Sequence, residues 1–245
     1  GTEHTPKYLT SAEVKNIENA GLSVFPIYQD GGYELNYFKD PSQGSVDAQT
    51  AILAADRIGI PSGTTIYFAV DFDCYSYQID TFIIPYFEQI HMIFFSSTND
   101  KNYKVGIYAP RYVCTKVYEA GLASKSFVAD MSTGFSCNLG YSMPKNWAFD
   151  QFCELSSFSS SPSFPLDKDA YSGRDSGFKK FDAVSTKTDE EIAKENLRAK
   201  VKIARNQYVY NVMEPLGYLK KIMDMGVEYD KEITLGEIVS SEGII

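Results

Sequence analysis

Histidine and tryptophan are nearly absent from this chain of 245 residues, which holds His4, His91 and the single Trp147. With so little imidazole, Ser-His-Asp triads, Cys-His pairs and histidine metal sites explain its chemistry poorly, so carboxylates must carry any acid–base work. The four cysteines, Cys74, Cys114, Cys137 and Cys153, lie far apart with no C-x-x-C pair. Their spacing argues against structural zinc and defines no disulfide framework, and packed free thiols are the simpler expectation. Basic residues are outnumbered, 23 Lys and Arg against 32 Asp and Glu, for a formal net charge of −9. Affinity for nucleic acid comes mostly from Lys and Arg displacing counterions, so no nucleic-acid partner is expected. No apolar run approaches the roughly 18 to 20 residues that a membrane span needs. No cofactor or resident metal is called for.

Aromatics, by contrast, are plentiful: 18 Tyr and 16 Phe, enough to line a groove. Along the chain, strand-like and helix-like segments alternate. "LTSAEVKNIENAGL" has Glu13 at capping-box spacing from Thr10 and a stop at Gly21, and so predicts a short helix. "SVFPIYQDGG" reads as a strand and turn, and "VDAQTAILAADRIGIP" as a helix stopped by Gly59 and Pro61. "TIYFAVDFD", "KVGIYAP", "SFVADMS", "WAFDQF" and "FPLDKDAYS" read as strands. "IIPYFEQIHMIFF" and "RYVCTKVYEAGL" read as helices, with His91 packed or half-exposed in the first. Such alternation implies βα units and a mostly parallel sheet. From residue 184 the texture changes to one long amphipathic helix, opened by a Thr188/Glu191 capping box, with Leu197, Val201, Ala204, Tyr208 and Val212 on one face. The expected organisation is an α/β domain over 1–183 and a helical extension over 184–245, whose 188–213 face offers a route to self-association.

The strand "TIYFAVDFD" ends on two carboxylates. Alternation puts Ile66, Phe68, Val70 and Phe72 on one side and Tyr67, Ala69, Asp71 and Asp73 on the other. Applied to the other strands, the same parity gathers Asp130, Asp167 and Asp169 with Asp71 and Asp73 at one rim, walled by Tyr28, Tyr108 and Trp147, with Gln151 aligned to Trp147. Closed parallel barrels place their chemistry at the C-terminal ends of strands. Crowded carboxylates raise one another's pKa, so one can serve as general acid beside an ionised neighbour. Aspartates at i and i+2 of a strand have Cα atoms about 6.5 to 7 Å apart, compatible with either carboxylate spacing of glycoside hydrolysis.

Together, "YLTSAEVKNIENAGLSVFPIYQ", "DAQTAILAADRIGIPSGTTIYFAVDFD", "VGIYAPRYVC" and "WAFDQF" followed by "DKDAYSGRDSG" resemble a glycoside-hydrolase-like TIM-barrel family, long a domain of unknown function. That family is similar to the glycoside hydrolase family 25 lysozymes of bacteria and phages, which cut peptidoglycan. The resemblance covers roughly residues 8 to 183. It implies a TIM-type (β/α)8-like barrel acting on a cell-wall glycan, secreted or wall-associated. It casts Asp73 as proton donor, Asp71 as its partner carboxylate, and Asp167 or Asp169 as a contact to substrate. The pair here is Asp-x-Asp where those lysozymes keep Asp-x-Glu. Six candidate strands follow from Val24, so the barrel is expected to lack its first one or two strands, one of which bears an aspartate in the family. The natural N-terminus is then expected upstream of Gly1. Two other readings stay open: a degenerate barrel that binds wall carbohydrate or a protein partner without turnover, and a Mg²⁺ or Ca²⁺ site built from the same oxygens.

Overall fold

A computed structural model describes residues 8–182, Ser97 excepted. The chain divides into two units, Gly1–Thr186 and Lys187–Ile245. The helical extension expected over 184–245, with its 188–213 face, lies outside the described residues.

The sheet has six strands in sequence order: β1 (Ile27–Tyr28), β2 (Thr65–Ala69), β3 (Lys104–Ala109), β4 (Lys125–Val128), β5 (Trp147–Phe158) and β6 (Phe164–Tyr171). The first five run parallel. β6 pairs antiparallel with β5, because the short Ser-rich connection cannot hold the crossover that a parallel return requires. α1 (Ser11–Asn19) precedes β1; α2 (Ser42–Arg57) connects β1 to β2; α3 (Ser76–Gln78), a π turn (Ile79–Ile83) and α4 (Ile84–Phe94) connect β2 to β3; α5 (Arg111–Glu119) connects β3 to β4; and a helix-free loop connects β4 to β5. The Thr10/Glu13 capping box forms as its spacing predicts: Glu13 N–H donates to Thr10 Oγ1, and Thr10 N–H donates to Glu13 Oε2 at 2.8 Å.

Two apolar layers follow from strand alternation. On one face of the sheet Ile66, Phe68, Val70, Ile107 and Val128 meet Ile52, Ile83, Phe87, Ile90, Val113 and Val117 of the helices. The other face carries Tyr67, Ala69, Tyr108, Phe127, Ala129, Ala148 and Phe149, against which Phe25 and Ile27 pack. Phe25, just before β1, stacks on Phe149 of β5 with ring centroids 4.0 Å apart. Contact between the first strand's approach and the fifth strand requires a sheet curled into a half-barrel, and the inner aromatics fill its hollow.

The segment after β6 straps this hollow shut at the N-terminal ends of the strands. Val24 and Phe178 exchange backbone hydrogen bonds of 2.8 and 2.9 Å. Tyr67 donates its hydroxyl to Asp175 Oδ2 at 2.8 Å, and Lys125 Nζ lies 3.1 Å from the same oxygen. Burial pushes the Asp175 carboxyl up, but the Gly177 N–H, the Tyr67 hydroxyl and Lys125 outweigh it and hold the group below its usual range.

Gly106 on β3 lies beside Tyr67 on the inner face. A Cβ there would sit 2.7 Å from Tyr67 Cδ1 and 2.8 Å from Thr65 Cγ2. The Tyr67 ring is fully buried, so it has nowhere to retreat. Gly106→Ala is therefore expected to destabilise the domain by about 1 to 3 kcal/mol through overpacking. Urea unfolding at neutral pH measures this, and an unchanged midpoint would contradict the packing account.

Candidate active site at the strand ends

Asp71 follows β2 at its C-terminal end. Its backbone N–H donates to Gly32 O at 2.9 Å, and its Oδ2 accepts a 3.0 Å hydrogen bond from Gln29 Nε2. Gly32 makes this possible: its φ is +92°, and a Cβ would stand 2.7 Å from Ala69 O, so only glycine lets the β1 turn lie against the end of β2. Tyr108, on the inner face at the end of β3, donates to Gln151 Oε1 at 2.6 Å, and Gln151 Nε2 donates to Asp167 Oδ2 at 2.7 Å. Burial, then the charges of Asp71, Asp167 and Asp169, push the Tyr108 phenol well above its normal range. Those three carboxylates therefore lie within electrostatic reach of one phenol. Asp169, opposite Gln151 in the β5–β6 ladder, keeps much of its surface open to solvent; partial desolvation, followed by the charge of Asp167, pushes its carboxyl up to about 6. Asp71, Tyr108, Gln151, Asp167 and Asp169 form one bowl at the open end of the half-barrel.

Asp73 stands at the margin of this group. Its Oδ1 accepts the Ser136 N–H at 2.6 Å and its Oδ2 the Ser136 hydroxyl at 3.3 Å. It thus ties the loop after β2 to the loop after β4.

Three residues expected at the rim are corrected to the helix-facing side of the sheet. Tyr28 belongs to the outer layer, because Phe25 and Ile27 are the residues that face inward. Its hydroxyl donates toward Asp30 at 3.1 Å and toward Asp47 on α2 at 3.3 Å. Asp47 is almost completely buried and also accepts from Tyr37, Gln43 and Tyr86; burial raises its pKa even so. Asp130 follows the parity of Val128, an outer-layer residue. Arg111 at the start of α5 grips it with two hydrogen bonds, Nε to Oδ1 at 2.7 Å and Nη2 to Oδ2. Trp147 is displaced by a register shift: Ser126 pairs Trp147 while Phe127 pairs Phe149, leaving Ala148 as an extra residue. The indole packs on the outer layer at the start of β5, with the Arg174 guanidinium 6.0 Å from its ring.

The sequence reading passed over Gln29, which alternation from Ile27 would have aimed inward at Asp71. It also passed over Asp150, which lies in the register position opposite Val128. Asp150 is buried, its Oδ1 meets no hydrogen-bond donor, and desolvation followed by the neighbouring Asp130 raises its carboxyl to about 6. Two clefts elsewhere carry no carboxylate. One of about 230 Å³ lies along β1 and α2; another of about 570 Å³ lies beside His91, Tyr118 and Leu122. Among the described residues no group of three or more His, Cys, Asp or Glu is arranged to hold a metal ion, and no helix is long and apolar enough to cross a membrane.

A carboxyl whose folded-state pKa is raised binds its proton more tightly folded than unfolded. The stability it contributes is complete below about pH 4 and is lost as pH rises through about 6. Asp150→Asn keeps a donor toward Asp130 and removes the ionisation. It is expected to exceed wild type in stability by about 1 to 2 kcal/mol at pH 8 and to show no advantage at pH 4. Urea midpoints of both proteins across that range are the check, and parallel pH profiles would contradict it.

Residues 1–194 match the family described as Rv2525c-like, glycoside hydrolase-like domain. Two uncharacterized proteins of Bacillus subtilis (strain 168) are similar. YbfG is 60% identical over 170 residues, covering 67% of this chain and 23% of YbfG. FadG is 48% identical over 174 residues, covering 70% of this chain and 29% of FadG. The shared segment thus spans about a quarter of the length of these relatives. Among solved structures, the Mycobacterium tuberculosis Tat-secreted protein Rv2525c in complex with L-tartrate matches with a TM-score of 0.54 at 18% identity, over 67% of this chain and 75% of that one. Its HEPES complex matches with a TM-score of 0.55 at 18% identity, over 70% and 78%. At that identity the likeness concerns the fold, and it agrees with the curled sheet and the outer helices found here. The chain belongs to the Rv2525c-like, glycoside hydrolase-like domain family.

Proposed function

We propose that the domain hydrolyses a bacterial cell-wall glycan of the peptidoglycan class, with Asp169 as general acid and Asp71 as its partner carboxyl group. The observation that carries this reading is the chain from Tyr108 through Gln151 to Asp167, with Asp71 and Asp169 within electrostatic reach of the same phenol and the Asp169 carboxyl raised to about 6. Two nearby carboxyl groups in unequal surroundings are the requirement of glycoside hydrolysis: one donates a proton to the leaving oxygen, while the other stabilises positive charge or attacks. Asp167, fixed by Gln151, is placed to accept sugar hydroxyls.

The resemblance assigns the donor role to Asp73. Both of its oxygens accept from Ser136, and a donor must come within about 2.6 to 3.2 Å of the glycosidic oxygen. Asp73 is accordingly read as a positioning residue for the loop after β4. The same observation favours a second reading, a glycan-binding barrel without turnover, since the family's donor position is occupied in holding a loop. Secretion suits either activity, and Rv2525c is itself a Tat-secreted protein.

The test is release of reducing ends from purified peptidoglycan. Asp169→Asn and Asp71→Asn are expected to lower kcat by at least about 100-fold, and Asp73→Asn by less than about tenfold. In the wild type, kcat/KM should fall as pH rises through about 6, because Asp169 then loses the proton it must donate; Asp169→Asn should lose that limb. Full activity in Asp169→Asn with inactivity in Asp73→Asn would return the donor role to Asp73. Binding without turnover in wild type would choose the second reading.

A further inference from the structure

Four tyrosines follow the C-terminal ends of the parallel strands: Tyr75 and Tyr77 at the start of the helical segment after β2, Tyr112 at the start of α5 after β3, and Tyr141 in the loop after β4. Tyr75 and Tyr77 are 48% and 69% exposed, and their rings are parallel within 4° with centroids 6.2 Å apart. The turn that carries them is ordered by hydrogen bonds. Tyr75 N–H donates to Gln78 Oε1 at 2.9 Å, Gln78 N–H donates to Tyr75 O at 2.9 Å, and Gln78 Nε2 reaches Tyr77 Oη at 3.4 Å. Across the rim, Tyr141 stacks on Tyr112 with centroids 4.3 Å apart and planes 17° apart. The Tyr112 N–H donates to Cys137 O at 3.0 Å, and Arg111 Nη1 donates to Tyr141 O at 3.0 Å. The Asp73–Ser136 hydrogen bonds join the segment leading into Tyr75 to the loop after β4 that carries Tyr141.

We infer that Tyr75 and Tyr77 form a sugar-binding platform distinct from the bowl, which makes the site a groove for a polymeric β-linked amino-sugar glycan rather than a pocket for a single sugar. The inference rests on the glycan reading above and extends it to substrate length. A pyranose ring offers an apolar face of axial C–H bonds and a rim of hydroxyls. Fixed, parallel phenols match that face at low entropic cost, and their hydroxyls reach the rim. The platform lies next in sequence to Asp73, so a chain seated in the bowl and running along the loop after β2 meets it.

Calorimetric titration with β-1,4-linked N-acetylglucosamine oligomers, from dimer to hexamer, tests this on the whole chain. Wild type is expected to gain at least about tenfold in affinity between the shortest and longest oligomers, about 1.4 kcal/mol. Tyr75→Ala/Tyr77→Ala should lose that gain, while Tyr75→Phe/Tyr77→Phe should keep most of it, which separates ring stacking from misfolding. An equal gain with oligomer length in wild type and the alanine variant would overturn the platform and leave the bowl reading intact. Absence of binding by wild type at every length would overturn the glycan reading, and the platform with it.

Discussion

The stack of Phe25 on Phe149 is the contact on which the rest of the structure depends. It joins the approach to the first strand with the fifth across the hollow of the sheet, in a cluster completed by edge-to-face contacts with Tyr67 and Phe127. Each such pair contributes about 0.5 to 1.5 kcal/mol beyond burial, and together they favour one curvature. That curvature brings Asp71 from β2 and Asp167 and Asp169 from β6 within electrostatic reach of one phenol, although several strands separate them in sheet order. The strap after β6 fixes the same curvature from below through Asp175, Tyr67 and Lys125. A flat sheet of the same strands would leave the carboxylates apart.

The two faces of the sheet divide the acids by role. On the inner face Asp71 accepts from Gln29 and Asp167 from Gln151, while burial and then the charge of Asp167 raise the Asp169 carboxyl. On the outer face Asp130 is neutralised by Arg111, and Asp150 shares that pair's surroundings. The outer group anchors α5 to the end of β4. Asp73 does a comparable job between two loops, which turns a residue resembling a catalytic acid into part of the frame.

Much of this was legible in the sequence where a strand runs without interruption. In β2 the alternation of Ile66, Phe68 and Val70 against Tyr67 and Ala69 assigned both faces as they stand. The capping box of α1, the six strands and a mostly parallel sheet also follow from residue pattern. Where reading failed, the cause was physical. Both faces of this sheet are apolar near its closed end, so large side chains do not by themselves mark the helix side. Phe25 and Ile27 point into the hollow, and that reversal put Tyr28 on the wrong face. Asp130 keeps the parity of Val128, which belongs to the helix side. The extra residue at Ala148 broke the alternation through Trp147, and nothing local in "WAFDQF" announces it. Gln29, Ser136 and Arg111 act through partners 42, 63 and 19 positions away, a distance that no local pattern encodes.

The central claim is that the bowl raises the Asp169 carboxyl to about 6, so that it can donate a proton in mildly acidic to neutral solution. Carboxyl-carbon NMR titration of protein labelled at aspartate, with Asp169 assigned by comparison with Asp169→Asn, measures it directly. The account predicts a midpoint near 6 for Asp169, moving when Asp167 is neutralised. A midpoint near 4, indifferent to Asp167, would contradict it.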